Sequence, residues 1–132
     1  PYNVEVNSYL AENLPLVVAD PVQVRQVISN LVSNAVQAMI DGGTLTIVTE
    51  KMDGYVGIKI IDTGVGITEE NLEEIFEPLF TTKARGIGLG LAIVKTIVER
   101  QNGTINVESQ VGKGTAFTVK LPVSGSEVVN NE

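Results

Sequence analysis

The chain has 132 residues, 43% of them hydrophobic, which is enough apolar material for the core of one globular domain without disulfide or metal staples. Cysteine is absent, which excludes disulfides and thiolate metal sites and fits a reducing, cytoplasmic setting, and histidine is absent as well. With 16 acidic against 9 basic residues the net charge of -7 repels polyanions, so nucleic acid is not an expected partner.

In chain order, Val4-Glu5-Val6 predicts a short alternating strand, with Pro1 standing so close to it that the domain looks cut from something longer. Leu16-Val17-Val18 predicts a second short strand. Asp20-Pro21 then caps and opens a helix that runs to about Met39, burying Val24, Val27, Ile28, Leu31, Ala35, Ala38 and Met39 before Gly42-Gly43 stop it. Thr44 to Lys51 and Val56 to Ile60 alternate on either side of Asp53-Gly54, a hairpin. Thr68 caps a short helix with Glu69 and Glu70 in its first turn. A loop from Phe76 to Arg85 leads to Gly86-Ile87-Gly88-Leu89-Gly90-Leu91, read as a glycine loop feeding a second long helix that ends at Asn102-Gly103. Strands Thr104 to Ser109 and Thr115 to Leu121 follow, and residues 123–132 are expected to be a flexible tail behind a domain of residues 1–122. No apolar run reaches membrane-spanning length and no basic-then-apolar leader stands in front, so the stretch is expected to be soluble without direct membrane contact. The fold expected is an α/β (α+β) two-layer sandwich, a mixed and mostly antiparallel sheet of about five strands with three helices on one face.

Three places depart from what packing alone asks for. Asn30 and Asn34 are one turn apart on the first helix, where asparagine is a poor helix former; they are either core or solvated amides, or oxygen donors for Mg²⁺, with Gln37 pointing the same way toward a phosphate. Asp62 ends a strand and opens Asp-x-Gly-x-Gly; its carboxylate either caps that turn or accepts from the exocyclic amine of a purine, with Ile67 over the ring. The glycines from 86 to 90 are either a turn or a cradle for phosphate at a helix N-terminus, and neither the GxGxxG nor the GxxxxGK[ST] pattern is present.

Taken together, the order of an Asn-rich helix, Asp62-Thr63-Gly64-Val65-Gly66, Phe76-Glu77-Pro78-Leu79-Phe80, Gly86-x-Gly88-x-Gly90 and Gly112-Lys113-Gly114-Thr115 resembles the ATP-binding catalytic domain of two-component sensor histidine kinases, with its N, G1, F, G2 and G3 boxes over residues 16–122. Asn34-Ala35-Val36-Gln37-Ala38-Met39 and Phe80-Thr81-Thr82-Lys83 are most similar to the nitrogen-regulatory subgroup with a short ATP lid, on the fold shared with gyrase and the heat-shock chaperone ATPase. The resemblance implies ATP and Mg²⁺ as cofactors. It implies Asn34 on the metal, Asp62 on the adenine amine with Gly64 and Gly66 admitting the base, and Thr115 in a water-mediated contact near the same edge. It further implies backbone amides of Gly88, Leu89 and Gly90 on phosphates and Lys83 on the β or γ group, with Asn30, Gln37, Ala38, Ile67, Thr82, Gly86 and Leu91 completing the nucleotide-binding set. Phe76 and Phe80 resemble the hinge and packing residues of the lid, or are ordinary core.

Two positions depart from the family pattern: Gln37 stands where a basic residue is common, and Gln101-Asn102 replaces a histidine, expected to matter only to the helix end. Hydrolytic relatives carry a glutamate four residues before the metal-binding Asn, where this chain has Asn30, and an amide is not a base. The implied activity is therefore transfer of the γ-phosphoryl group to a histidine on a separate helical dimerisation domain, and on to a response regulator receiver domain. Alternatives are a hydrolase of the same fold or a non-catalytic, nucleotide-gated interaction module.

Overall fold

Five strands form one sheet, and the computed structural model describes residues 3–77 and 87–124. β1 (Val4–Leu10), β2 (Gly43–Met52), β3 (Tyr55–Asp62), β4 (Thr104–Gln110) and β5 (Gly114–Pro122) lie side by side in the order β1-β2-β3-β5-β4. β1 pairs parallel to β2 and all other neighbours are antiparallel. A parallel pair needs a crossover, supplied by α1 (Pro21–Ala38). The remaining helices are α2 (Glu69–Leu72) and α3 (Ile87–Arg100). This is the mixed two-layer arrangement that the alternation of apolar periods predicts.

Local chemistry sets the ends of the elements. The Asp20 carboxylate accepts the Val22 N–H (2.9 Å) at the start of α1, where Pro21 lacks the N–H that would be orphaned. At the far end of α3, Asn102 takes φ 64° and the Gly103 N–H donates to the Val98 carbonyl (2.9 Å), closing the helix in a Schellman-type turn. The β2–β3 hairpin turns at Asp53-Gly54, and of these two only Gly54 has positive φ (80°).

α1 and α3 pack together over the sheet. Leu31 from α1, Met39 at its C-cap, Val94 and Val98 from α3, and Ile60, Phe117 and Val119 from the strands form one core. The strand register arranges the helix-facing side of the sheet in rungs: Ile58–Val119–Ile105, then Ile60–Phe117–Val107, then Asp62–Thr115–Ser109. Two apolar rungs are thus followed by one that is polar throughout. Because residues opposite each other in a ladder share a face, the last rung continues the core surface with oxygen-bearing side chains.

Three expectations need correction. Residues 16–18 do not form a strand: Leu16 is 81% exposed with no apolar surface to cover it, and only Val17 makes a bridge, with Val123. The chain also stays paired two residues past Pro122, since the Val123 N–H donates to Gly54 O (3.0 Å) and the Ser124 N–H to Leu16 O (2.6 Å); residues 125–132 lie outside the described part. Finally, α3 begins at Ile87, so Gly88 and Gly90 belong to the first turn of the helix and not to a loop before it. Glycine in a helix interior costs about 1 kcal/mol relative to alanine.

Candidate functional site

The polar rung lies where the two helices and the turn after β3 meet. Asp62 is 5% exposed and Thr115 6%, the polar side chains most deeply buried among the described residues. The Gly64 N–H donates to Asp62 Oδ1 (2.8 Å), and the Thr115 N–H also bonds the carboxylate. Burial pushes the Asp62 carboxyl above its ordinary value, against the pull of those two N–H donors, which favour the charged form. A carboxylate held out of water with only part of its accepting capacity filled is suited to receive a further N–H.

The turn after β3 is held from behind by α1. The Val65 N–H donates to the Ala38 carbonyl (3.0 Å), and a Cβ at Gly64 would run into Ala38. At Gly66, φ is 82° and a Cβ would meet Gln110 and Val111. The space in front of both glycines is therefore taken by the protein's own chain. Their lack of a side chain permits the close approach of turn, helix and β4–β5 loop. Ala38 acts here through its carbonyl and its smallness. Ile67 is half-buried against the core, with its N–H on Ser109 Oγ (2.8 Å).

Asn34 lies one turn before Ala38 on α1. Its Nδ2 is buried and has no hydrogen-bond partner, the single such side-chain atom among the described residues. Oxygen and nitrogen of an amide are interchangeable by a flip, so this position can present either a donor or an acceptor to a water or a ligand. No cluster of three or more histidine, cysteine, aspartate or glutamate side chains that could hold a metal occurs among the described residues. A hard divalent cation there would have to take one amide oxygen from Asn34 and the rest from phosphates and water, which is the donor set Mg²⁺ accepts. Asn30 is half-buried, whereas Gln37 is exposed and reaches only Ser33 Oγ on its own helix, at 3.4 Å.

The start of α3 comes to the same end of the domain. Gln101, just past α3, accepts the Asp20 N–H (3.0 Å) and donates to Gln23 Oε1 (2.7 Å), so the end of α3 meets the start of α1. With the two helices packed side by side and antiparallel, the first turn of α3 lies toward the half of α1 that carries Asn34. Its first amides have no partners within the helix and carry the positive end of the dipole. Nothing within 4 Å would obstruct a Cβ at Gly90, so the backbone there is open to approach. Leu91, included in the candidate set, is 3% exposed and its side chain belongs to the core. Thr82, Lys83, Gly86 and Phe80 lie outside the described residues. Phe76 packs edge-on to Phe117 (6.4 Å between centroids) with Lys95 over its ring at 5.5 Å, a core role.

One pocket among the described residues lies elsewhere. It lies between α1, α3 and the sheet, is lined mainly by apolar groups such as Leu31, Ile58 and Ile97, and none of the candidate nucleotide-binding residues lines it. Residues 19–125 match the family described as histidine kinase-, DNA gyrase B- and HSP90-like ATPases. The chain belongs to this family. Sensor histidine kinase ZraS of Escherichia coli (strain K12) is 47% identical over 113 residues, covering 86% of this chain and 24% of that protein. Sporulation kinase D of Bacillus subtilis (strain 168) is 44% identical over 126 residues, 95% of this chain and 25% of that one. The chain thus spans about a quarter of the curated relatives it matches. Among solved structures, the catalytic domain of histidine kinase ThkA superposes with a TM-score of 0.82 at 36% identity, covering 92% of this chain and 80% of that one. Full-length ShkA in complex with AMPPNP gives 0.80 at 29% identity, covering 92% and 26%. The chain therefore holds an ATPase-fold catalytic domain homologous to those of sensor histidine kinases.

Two residues that hold this histidine-kinase-type domain together escaped the sequence reading. Ser109 was legible as the polar member of the alternating series Ile105, Val107, Ser109 on the inner face of β4. Gln101 was placed at the helix end without consequence, and instead ties the two long helices together. No helix among the described residues is long and apolar enough to cross a membrane.

Proposed function

We propose that this domain binds Mg-ATP and delivers the γ-phosphoryl group to a histidine on a separate helical dimerisation domain, from which it passes to a response regulator receiver domain. The observation that supports the reading is the buried pair Asp62 and Thr115 next to a turn that α1 braces through Ala38, one helical turn beyond the unpartnered amide of Asn34. Asp62 takes the adenine amine, Asn34 holds Mg²⁺ against the phosphates, and the amides of Gly88, Leu89 and Gly90 together with Lys83 neutralise phosphate charge. When bound, Mg²⁺ supplies further charge neutralisation at the phosphate oxygens.

Phosphoryl transfer is mostly positioning and charge neutralisation, so the acceptor decides the outcome. The bond from the γ-phosphorus to the β,γ-bridging oxygen breaks, a bond from phosphorus to an imidazole nitrogen forms, ADP leaves and the imidazole gives up its N–H proton to solvent. This chain has no histidine, and Asn30 offers no base to activate water. Alone it binds nucleotide without labelling itself.

The test is incubation with γ-labelled ATP in the presence and absence of the helical domain of the longer kinase. Acid-labile label on the helical domain alone is the expected result. Acid-labile label on the isolated chain, or steady ATP turnover by it that Asn34→Ala abolishes, refutes the proposal.

A further inference from the structure

Ser109 sits in the polar rung, and its three hydrogen bonds together have only one consistent proton arrangement. Ser109 Oγ lies 2.8 Å from the Ile67 nitrogen, 2.9 Å from the Gly114 carbonyl oxygen and 2.8 Å from Thr115 Oγ1. The Ile67 N–H can only donate and the Gly114 carbonyl can only accept. A serine hydroxyl has one proton and two lone pairs. The proton must therefore go to Gly114, one lone pair accepts from Ile67, and the other is left for Thr115, which has to be the donor. With every capacity of Ser109 filled, the Thr115 hydroxyl has spent its only proton and presents lone pairs alone.

Thr115 stands opposite Asp62 in the β3–β5 register, on the same face. The rung thus offers a base two acceptors side by side and no side-chain donor. We infer that Ser109, by fixing the proton of Thr115, makes the pocket selective for a 6-amino purine over a 6-oxo purine. An exocyclic amine brings two N–H donors to two acceptors, one directly to Asp62 and one to Thr115 or to a water that Thr115 orients. A 6-oxo purine brings an oxygen to the same place and meets acceptor against acceptor. Leaving such buried groups unpaired is what gives polar sites their discrimination. Ser109 is a positioning residue in this scheme, acting through Thr115 without touching the nucleotide. The inference rests on the nucleotide reading proposed above and adds to it the group that sets base preference.

Without Ser109 the Thr115 proton is free to turn toward the pocket and donate to a 6-oxo group. The experiment measures dissociation constants of ATP and inosine triphosphate, each with Mg²⁺, for the wild-type chain, Ser109→Ala and Ser109→Thr, by calorimetry, with thermal melting of each nucleotide-free protein as the folding control. Ser109→Ala is expected to lower the preference for ATP over inosine triphosphate about tenfold, mainly through gained affinity for the 6-oxo nucleotide. Ser109→Thr, which keeps the hydroxyl, restores the wild-type ratio. A purely structural role for Ser109 weakens both nucleotides in proportion. An unchanged ratio in a folded Ser109→Ala chain overturns the inference while leaving the nucleotide reading intact. A wild-type chain that binds neither nucleotide overturns both. Should Ser109→Ala fail to fold, Ser109→Cys, close in volume but a weak donor and acceptor, reads the same ratio with the same two outcomes.

Discussion

Replacing Asp62 by asparagine tests the site at its most buried atom. The carboxylate is 5% exposed and accepts the Gly64 N–H at 2.8 Å and the Thr115 N–H as well. In Asp62→Asn the amide oxygen keeps one of these donors, and the NH₂ group faces either the other N–H or the amine of the base, donor against donor. Loss of a hydrogen bond to a charged acceptor is worth about 1.5–3 kcal/mol, and a buried donor left without a partner costs about 1–3 kcal/mol more. Taking the lower half of each range, ATP binding weakens by about 3 kcal/mol, or roughly 100-fold. Calorimetric titration of wild-type and Asp62→Asn protein with ATP and Mg²⁺ reads this directly. The nucleotide-free variant stays folded, because removing a desolvated charge offsets the unpaired donor. Binding within threefold of wild type by a folded Asp62→Asn chain refutes the placement of the base at this carboxylate.

Two further outcomes are expected. Gly114→Ala places a Cβ against the Asp62 carbonyl at φ 135°, and should destabilise the fold by about 3 kcal/mol or more in urea titration, whereas Gly90→Ala meets no obstruction and should stabilise α3 by about 0.5–1 kcal/mol while weakening ATP binding; equal stability changes in the two variants contradict the distinction drawn between them. The pH dependence follows from the raised pKa of Asp62. The folded chain binds this proton more tightly than the unfolded chain, so the contribution of Asp62 to stability is fully present below the ordinary value of 3.8 and is lost as pH rises through the folded value. The wild-type minus Asp62→Asn difference in unfolding free energy should fall over that window and level off above it. ATP affinity should run the other way, weakening as pH drops through the same range, since the protonated carboxyl accepts poorly; a flat affinity profile removes Asp62 from base recognition.

Much of this was readable from single residues. Asp20-Pro21 announced the start of α1 and Asp53-Gly54 the hairpin, because capping and turn formation depend on chemistry within a few positions. The five boxes placed the family, and Asp62 and Thr115 face each other across the β3–β5 pair. What the sequence hid depends on neighbours distant along the chain. That Gly64 and Gly66 also make room for Ala38 and for Gln110 and Val111 could not be read from the sequence, because only the fold brings those atoms there. Gly88 and Gly90 looked like loop because glycine disfavours helix, and tertiary packing of the apolar stripe from Leu91 to Val98 overrode that preference. Gln101 replaced an expected histidine without obvious consequence, and its partners Asp20 and Gln23 lie about eighty positions earlier.

The rung of Asp62, Thr115 and Ser109 closes a sheet face that is otherwise oily, and a sequence selected for rigidity alone would continue that face with aliphatic groups. On the proposed nucleotide reading, the domain gives up part of its cohesion to this buried carboxylate and recovers it on binding. Occupancy should then be audible in the thermal behaviour of the whole domain and not just at the pocket: melting should climb with ATP concentration, by an amount set by the ratio of free nucleotide to its dissociation constant.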